Sequence, residues 1–194
     1  MNRTTLLACL LMGSGAAVFA QTPANTVQRD INQDQRIEQG LQSGALSTKE
    51  AASLEREESR VDQMQSKALK DGKLTPAEQA KLNQAQNKVS RDIYADKHNN
   101  VTGNPQSASS QRMQADVQRN INQQQRVENG VQNGSLTNRE TAKLERGQAR
   151  VAKAEANAGA NGHVSGNEQA HVQRMENHQS KKIHHEKHDA QQKN

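Results

Sequence analysis

Ser43-Gly44-Ala45-Leu46-Ser47-Thr48-Lys49-Glu50 is the first of four copies of one short turn. It returns as Asp71-Gly72-Lys73-Leu74-Thr75-Pro76-Ala77-Glu78 and as Asn133-Gly134-Ser135-Leu136-Thr137-Asn138-Arg139-Glu140. The last copy is Asn161-Gly162-His163-Val164-Ser165-Gly166-Asn167-Glu168. In each, Gly is followed two residues on by an aliphatic residue, then Ser or Thr, then Glu three residues later. Gly after a polar helical stretch suits the left-handed position just past a helix end, where a Cβ is penalised. Ser/Thr-x-x-Glu is a capping box: the hydroxyl accepts from the third amide, and the Glu carboxylate accepts from the capping residue's own N–H. Pro76 falls at the first helical position, where its missing N–H costs nothing. Each copy therefore ends one helix and starts the next.

Working outward, residues 27–56 and 117–146 agree at 18 of 30 positions with an offset of 90. The correspondence continues to Ile93 and Ile183, and to Lys97-His98 and Lys187-His188. The chain is read as a tandem duplication. Two turns per unit make three helices, placed in the first unit at about 24–42, 48–70 and 76–97. The expected fold is all-α: two copies of a three-helix antiparallel hairpin, because short connections make neighbouring helices antiparallel. Unit 1 spans residues 24–98 and unit 2 spans 114–188, with a flexible linker at 99–113 and a disordered tail at 189–194. Gly159 and Gly162 predict early fraying of the second unit's middle helix.

Val27, Ile31, Ile37 and Leu41 fall on one arc of a 3.6-residue helix. Leu54, Val61 and Ala68 are spaced by seven, as are Leu82 and Val89, with Ile93 four further on. These seams are thin and interrupted by Ala, Gln and Asn. They predict marginal stability supported by packing between units or between chains.

Residues 1–20 read as a secretory signal: Arg3, an apolar run from Leu6 to Phe19, and a cleavage site at Val18-Phe19-Ala20. Leu7-Ala8-Cys9 hints at a lipoprotein signal, but the apolar stretch before Cys9 is too short. Cleavage near Ala20 places the protein in the periplasm or outside the cell, and removes Cys9, the only cysteine. No later stretch approaches the roughly 20 apolar residues of a membrane span. The net charge of +5 is mild and its signs are interleaved. Tyr94 is the only aromatic beyond the leader, so nucleic-acid bases have almost no stacking platform. No Gly-rich phosphate loop and no Gly-x-Ser-x-Gly nucleophile motif is present. The carboxylates read as spread along helix surfaces, with no deep pocket. The expectation is a non-enzyme with no required cofactor.

Six of the seven His residues fall in the last 32 positions: His163, His171, His178, His184, His185 and His188. His171, His178 and His185 are seven apart and form a stripe on a helix, with Met175 on the same strip. His184 and His188 are four apart, within reach of one ion. Imidazole and thioether suit Cu, Ni or Zn better than Ca. His98 and His188 share a context in both units, which fits a structural cap at a helix's negative end. These His/Met spacings resemble those of exported copper- or silver-binding proteins. The expected function is low-affinity metal-cation binding through His171, Met175, His178, His184, His185 and His188. The alternative is a metal-independent helical module that pairs with another helical protein or with itself.

A third expectation is calcium. Asp71-Gly72-x-Leu74-Thr75-x-x-Glu78 resembles the second half of an EF-hand loop, which would use Asp71, Lys73, Thr75 and Glu78. Loop positions 1 and 3 would be Lys67 and Leu69, so the paired acidic start is missing. The Gly-x-Leu-Thr-x-x-Glu turns and the ending Ile93-Tyr94-x-x-Lys97-His98-Asn99 also resemble a group of small exported bacterial helical-repeat proteins. That resemblance implies an envelope location and a helical fold, and brings no established activity.

Overall fold

The computed structural model describes residues 22–189, and the leader at 1–20 and most of the predicted tail lie outside them. Six helices make up the described residues, with no strand. They are α1 (Pro23–Ser43), α2 (Thr48–Ala68), α3 (Pro76–Lys97), α4 (Ala108–Gln132), α5 (Asn138–Ala158) and α6 (Gly166–Lys187). The four turns form as their residues dictate. Gly44, Gly72, Gly134 and Gly162 all take positive φ, between 76° and 89°. Complete capping boxes open α2 (Ser47, Glu50), α3 (Thr75, Glu78), α5 (Thr137, Glu140) and α6 (Ser165, Glu168). The predicted apolar arcs are buried, from Val27, Ile31, Ile37 and Leu41 to Leu82, Val89 and Ile93.

Within each unit the first and third helices run side by side, joined by the same bonds twice. Arg29 donates to Asn87, Gln33 to the Gln86 carbonyl and Arg36 to Ser90. Arg119, Gln123 and Arg126 repeat this on Asn177, Glu176 and Ser180. The broadest interfaces nevertheless lie between the units: α2 against α5, then α1 against α4. Ser59 donates to the Ala149 carbonyl and Arg56 reaches that of Ala156, so α2 and α5 run antiparallel. The two hairpins are thus halves of one bundle rather than separate bodies, since each thin seam finds its partner across the pseudo-twofold.

Two expectations change. The segment between the units is pinned, and α4 already starts at Ala108, inside the linker read as 99–113. Gly103 donates to the Gly44 carbonyl at 2.8 Å, Asn99 to Glu50 at 2.7 Å, and Gln114 to the Pro105 carbonyl at 3.2 Å. The middle helix of the second unit does not fray early: α5 ends at Ala158, the counterpart of Ala68 where α2 ends. Gly159 fills a close contact with Met113 and Ala52 there, so its small size serves packing.

Gly103 offers a direct check on the pinned connection, because a Cβ on it would run into the backbone carbonyl of Leu46. Gly103→Ala is expected to destabilise the fold by about 1–3 kcal/mol, as overpacking does. Gly166→Ala, with nothing within 4 Å of the added atom, should leave stability nearly unchanged. Urea denaturation of the two variants tests this, and equal midpoints would contradict the close packing.

Candidate functional site

The helices bury acids as well as aliphatics. Glu55 and Asp62 are seven apart on α2, and Glu58 lies four after Leu54 and three before Val61, so all three share the inward face. With Asp30 and Asp34 of α1, Asp116 of α4, Glu145 and Glu155 of α5, and Glu176 of α6, they are at most 3% exposed. The expectation that the carboxylates cover helix surfaces is overturned here. Side-chain spacing relative to Leu54 and Val61 puts them on the apolar seam, and inter-unit packing then closes over them.

No Lys, Arg or His is buried among the described residues. Glu176 touches the half-exposed Arg119 at 3.1 Å. Asp30 accepts from Gln65 and from Gln86, the latter at 2.6 Å, and Asp62 accepts from Gln124 at 3.4 Å. Glu58 finds no donor on either oxygen. Glu55 and Glu155 lie close across the α2–α5 interface, and all four of their oxygens are buried without a hydrogen-bond partner. The amides of Gln65, Gln86, Gln124 and Gln148 spend their N–H groups on neighbours and leave their own oxygens without donors. The interior therefore holds an excess of acceptors. Water, protons or cations are what such a set of oxygens attracts.

Burial drives the acid equilibria. Loss of water raises Asp30 and Asp116 to about 7 and Glu176 to about 8. Asp34, Glu55, Glu58, Asp62, Glu145 and Glu155 are pushed well above the carboxylate range, first by burial and then, chiefly, by neighbouring acids. Holding one such carboxyl protonated at pH 7 costs about 4 kcal/mol relative to an unfolded chain in which it ionises near pH 4. Three or four of them match the whole stability of a typical domain, about 5–15 kcal/mol.

The residues singled out by sequence lie elsewhere. His171, Met175 and His178 line a groove of about 330 Å³ between α5 and α6. Arg150, Arg174 and Lys182 line it too, which sets fixed positive charge against an incoming cation. His185 is exposed on the same helix. The His184 and His188 rings stack at 4.2 Å, and His188 Nδ1 meets the His184 carbonyl at 2.7 Å. Tyr94 and His98 repeat this arrangement at 4.1 Å, which shows a helix-ending role in both units. At the EF-hand-like turn, Asp71 Oδ1 accepts from the Lys73 N–H at 2.9 Å. Glu78 Oε2 accepts from the Thr75 N–H and hydroxyl at 3.0 and 2.6 Å, and these bonds lower its pKa. That carboxylate is engaged in the cap.

Among the described residues, one acidic trio brings ligand oxygens within 4.8 Å of one another: Glu140, Glu186 and Asp189. Asn99, the counterpart of Asp189, satisfies Glu50 with its amide N–H. In the second unit a carboxylate stands there instead, and Glu140 Oε1 is buried without a donor. Compared with known proteins, the chain matches no family model, no curated protein and no solved structure.

The pH dependence has a definite sign. Groups raised on folding hold protons that the unfolded chain has released, so their contribution is complete below the ordinary carboxylate range and is lost as pH climbs through the raised values. The ion-free protein is expected to be most stable near about pH 4–5 and to weaken steeply toward about pH 8. Urea midpoints in chelator across that range test it, and a flat or rising profile would sink the assignment.

Proposed function

We infer that the protein is a non-enzymatic binder of divalent cations, held by carboxylate and amide oxygens between α1, α2, α4 and α5. One observation carries this reading: an interior of buried carboxyls, most with an oxygen left without a donor, and no buried cationic side chain among the described residues. An all-oxygen donor set suits hard ions such as Ca²⁺, Mn²⁺ or Mg²⁺. Among the described residues, no three of the interior acids bring ligand oxygens within 4.8 Å of one another, so a divalent ion would meet them at most in pairs, with amide oxygens or water completing its shell. Entry needs the bundle to open locally, which thin apolar seams make accessible. An extracytoplasmic location, as the leader-like residues 1–20 suggest, fits a reading in which millimolar Ca²⁺-type ions are encountered. The same chemistry displaces the expected seat of binding from the imidazoles of α6 to the interior.

Chelator-stripped protein at about pH 7.5 should gain thermal stability on addition of Ca²⁺ or Mn²⁺ and release protons as it binds. The double variant Glu58→Gln, Glu145→Gln is expected to raise ion-free stability at that pH while cutting the ion-induced gain about tenfold in apparent affinity. These opposite signs separate a cation site from acids that are merely buried. Asp189→Asn tests the outer trio, and replacing His171, His178 and His185 by Lys tests the imidazole stripe. The interior reading fails if the core double variant binds like the parent, or if either outer variant abolishes the response.

A further inference from the structure

The outer face of the α2–α5 pair carries a groove of about 470 Å³. Lys67 and Lys70 line one wall, and Arg146, Arg150 and Lys153 line the other, with Ser66 and Ala149 between them. No acidic side chain lines it. Arg146, Arg150 and Lys153 are spaced by four and three, so they form one row along α5. Lys67 and Lys70 form the facing row. None of the five cations has an ion pair or side-chain hydrogen bond among the described residues. Elsewhere Lys88, Arg119 and Lys143 do.

Ser66 supplies the second observation. It is 3% exposed, and its Oγ has no hydrogen-bond partner. Every other buried side-chain atom left unpartnered in the described residues is a carboxyl or amide oxygen. Ser66 is the one alcohol among them, and it lines a groove walled by cations. Chain duplication provides a built-in comparison. At the positions related by 90, Ser66 corresponds to Ala156, Lys67 to Asn157, Lys70 to Ala160 and Lys153 to Gln63. The groove draws on both units, and its pseudo-symmetric counterpart keeps the arginines (Arg56, Arg60) but has Ala156, Asn157 and Ala160 in place of Ser66, Lys67 and Lys70.

We propose that this groove binds a compact oligophosphate, a soluble anion carrying at least two phosphate groups. The row on α5 runs about two helical turns from Arg146 to Lys153, so a single phosphate reaches only part of the set. Guanidinium groups pair with phosphate oxygens through two parallel N–H bonds, and the Lys ammoniums add point charge. Ser66 donates to a phosphate oxygen at the bottom. Lipid headgroups share this chemistry, but a concave groove with a buried donor favours a small free anion over a flat surface. The inference is independent of cation binding in the interior.

Inorganic tripolyphosphate, titrated calorimetrically into metal-free protein at about 0.1 M salt, is expected to bind one to one and to weaken as salt rises. Arg146→Gln with Arg150→Gln should lose about tenfold or more in affinity. Ser66→Ala should lose several-fold without unfolding the chain, since its counterpart is already Ala156. Arg56→Gln with Arg60→Gln, at the related positions of the first unit, should leave affinity unchanged. Absent tripolyphosphate binding, or equal losses in both arginine pairs, would overturn the proposal. So would binding to phosphatidylglycerol vesicles with no tripolyphosphate binding, which would assign the phosphates to a membrane.

Discussion

Carboxylates taken out of water without a cationic side chain to meet them are the constraint on which this structure turns. The aliphatic seams run along every helix and pack into one core cluster that spans both units. Closure comes from pressing α2 onto α5 and α1 onto α4, and that act buries Asp34, Glu55, Glu58, Asp62, Glu145 and Glu155 together. The apolar residues determine which faces meet. The acids determine under what conditions they stay together. Acid favours the closed bundle, and rising pH opposes it.

Duplication has divided the work between the two halves. Asp30 and Asp34 of the first unit correspond to Asn120 and Gln124, and Glu58 and Asp62 to Gln148 and Ala152. Two identical units would have set like acids opposite one another around the pseudo-twofold. Instead the second unit often answers an acid with an amide, and Gln124 donates directly to Asp62 across the interface. Glu55 and Glu145 are acidic in both copies. In the opposite sense, Gln65 and Gln86 become Glu155 and Glu176, so the second unit contributes acids of its own. The result is one shared set of oxygens assembled from both halves.

The helix ends were legible because capping is local chemistry: four Gly positions, four hydroxyls and four Glu carboxylates act within a few residues of one another. The apolar arcs were legible for the same reason, since Val27 to Leu41 obey a single helical period. Packing between the units was not, because a repeat announces its own fold and says little about which faces of two copies meet. The interior acids were passed over because Asp and Glu are rarely buried without partners. The available signal was register: Glu58 sits between Leu54 and Val61 on one seam, and Glu55 and Asp62 repeat the heptad beside it. His171, His178 and His185 form the predicted stripe on α6, yet Arg150, Arg174 and Lys182 surround its groove with positive charge, a feature that spans two helices and is invisible along one.

The same partition of charge changes what the surface is. A net charge of +5 describes a chain in which all acids are ionised and exposed. Here nine carboxyls are buried with raised pKa values, so protons neutralise much of the acidic half from within. The lysines and arginines remain outside, and their excess over the exposed acids is larger than composition suggests. The unpaired cations facing Ser66 are where that excess concentrates on the pair of helices that bury most of the acids. The acceptor-rich interior and the donor-rich exterior are two consequences of one sorting of charge.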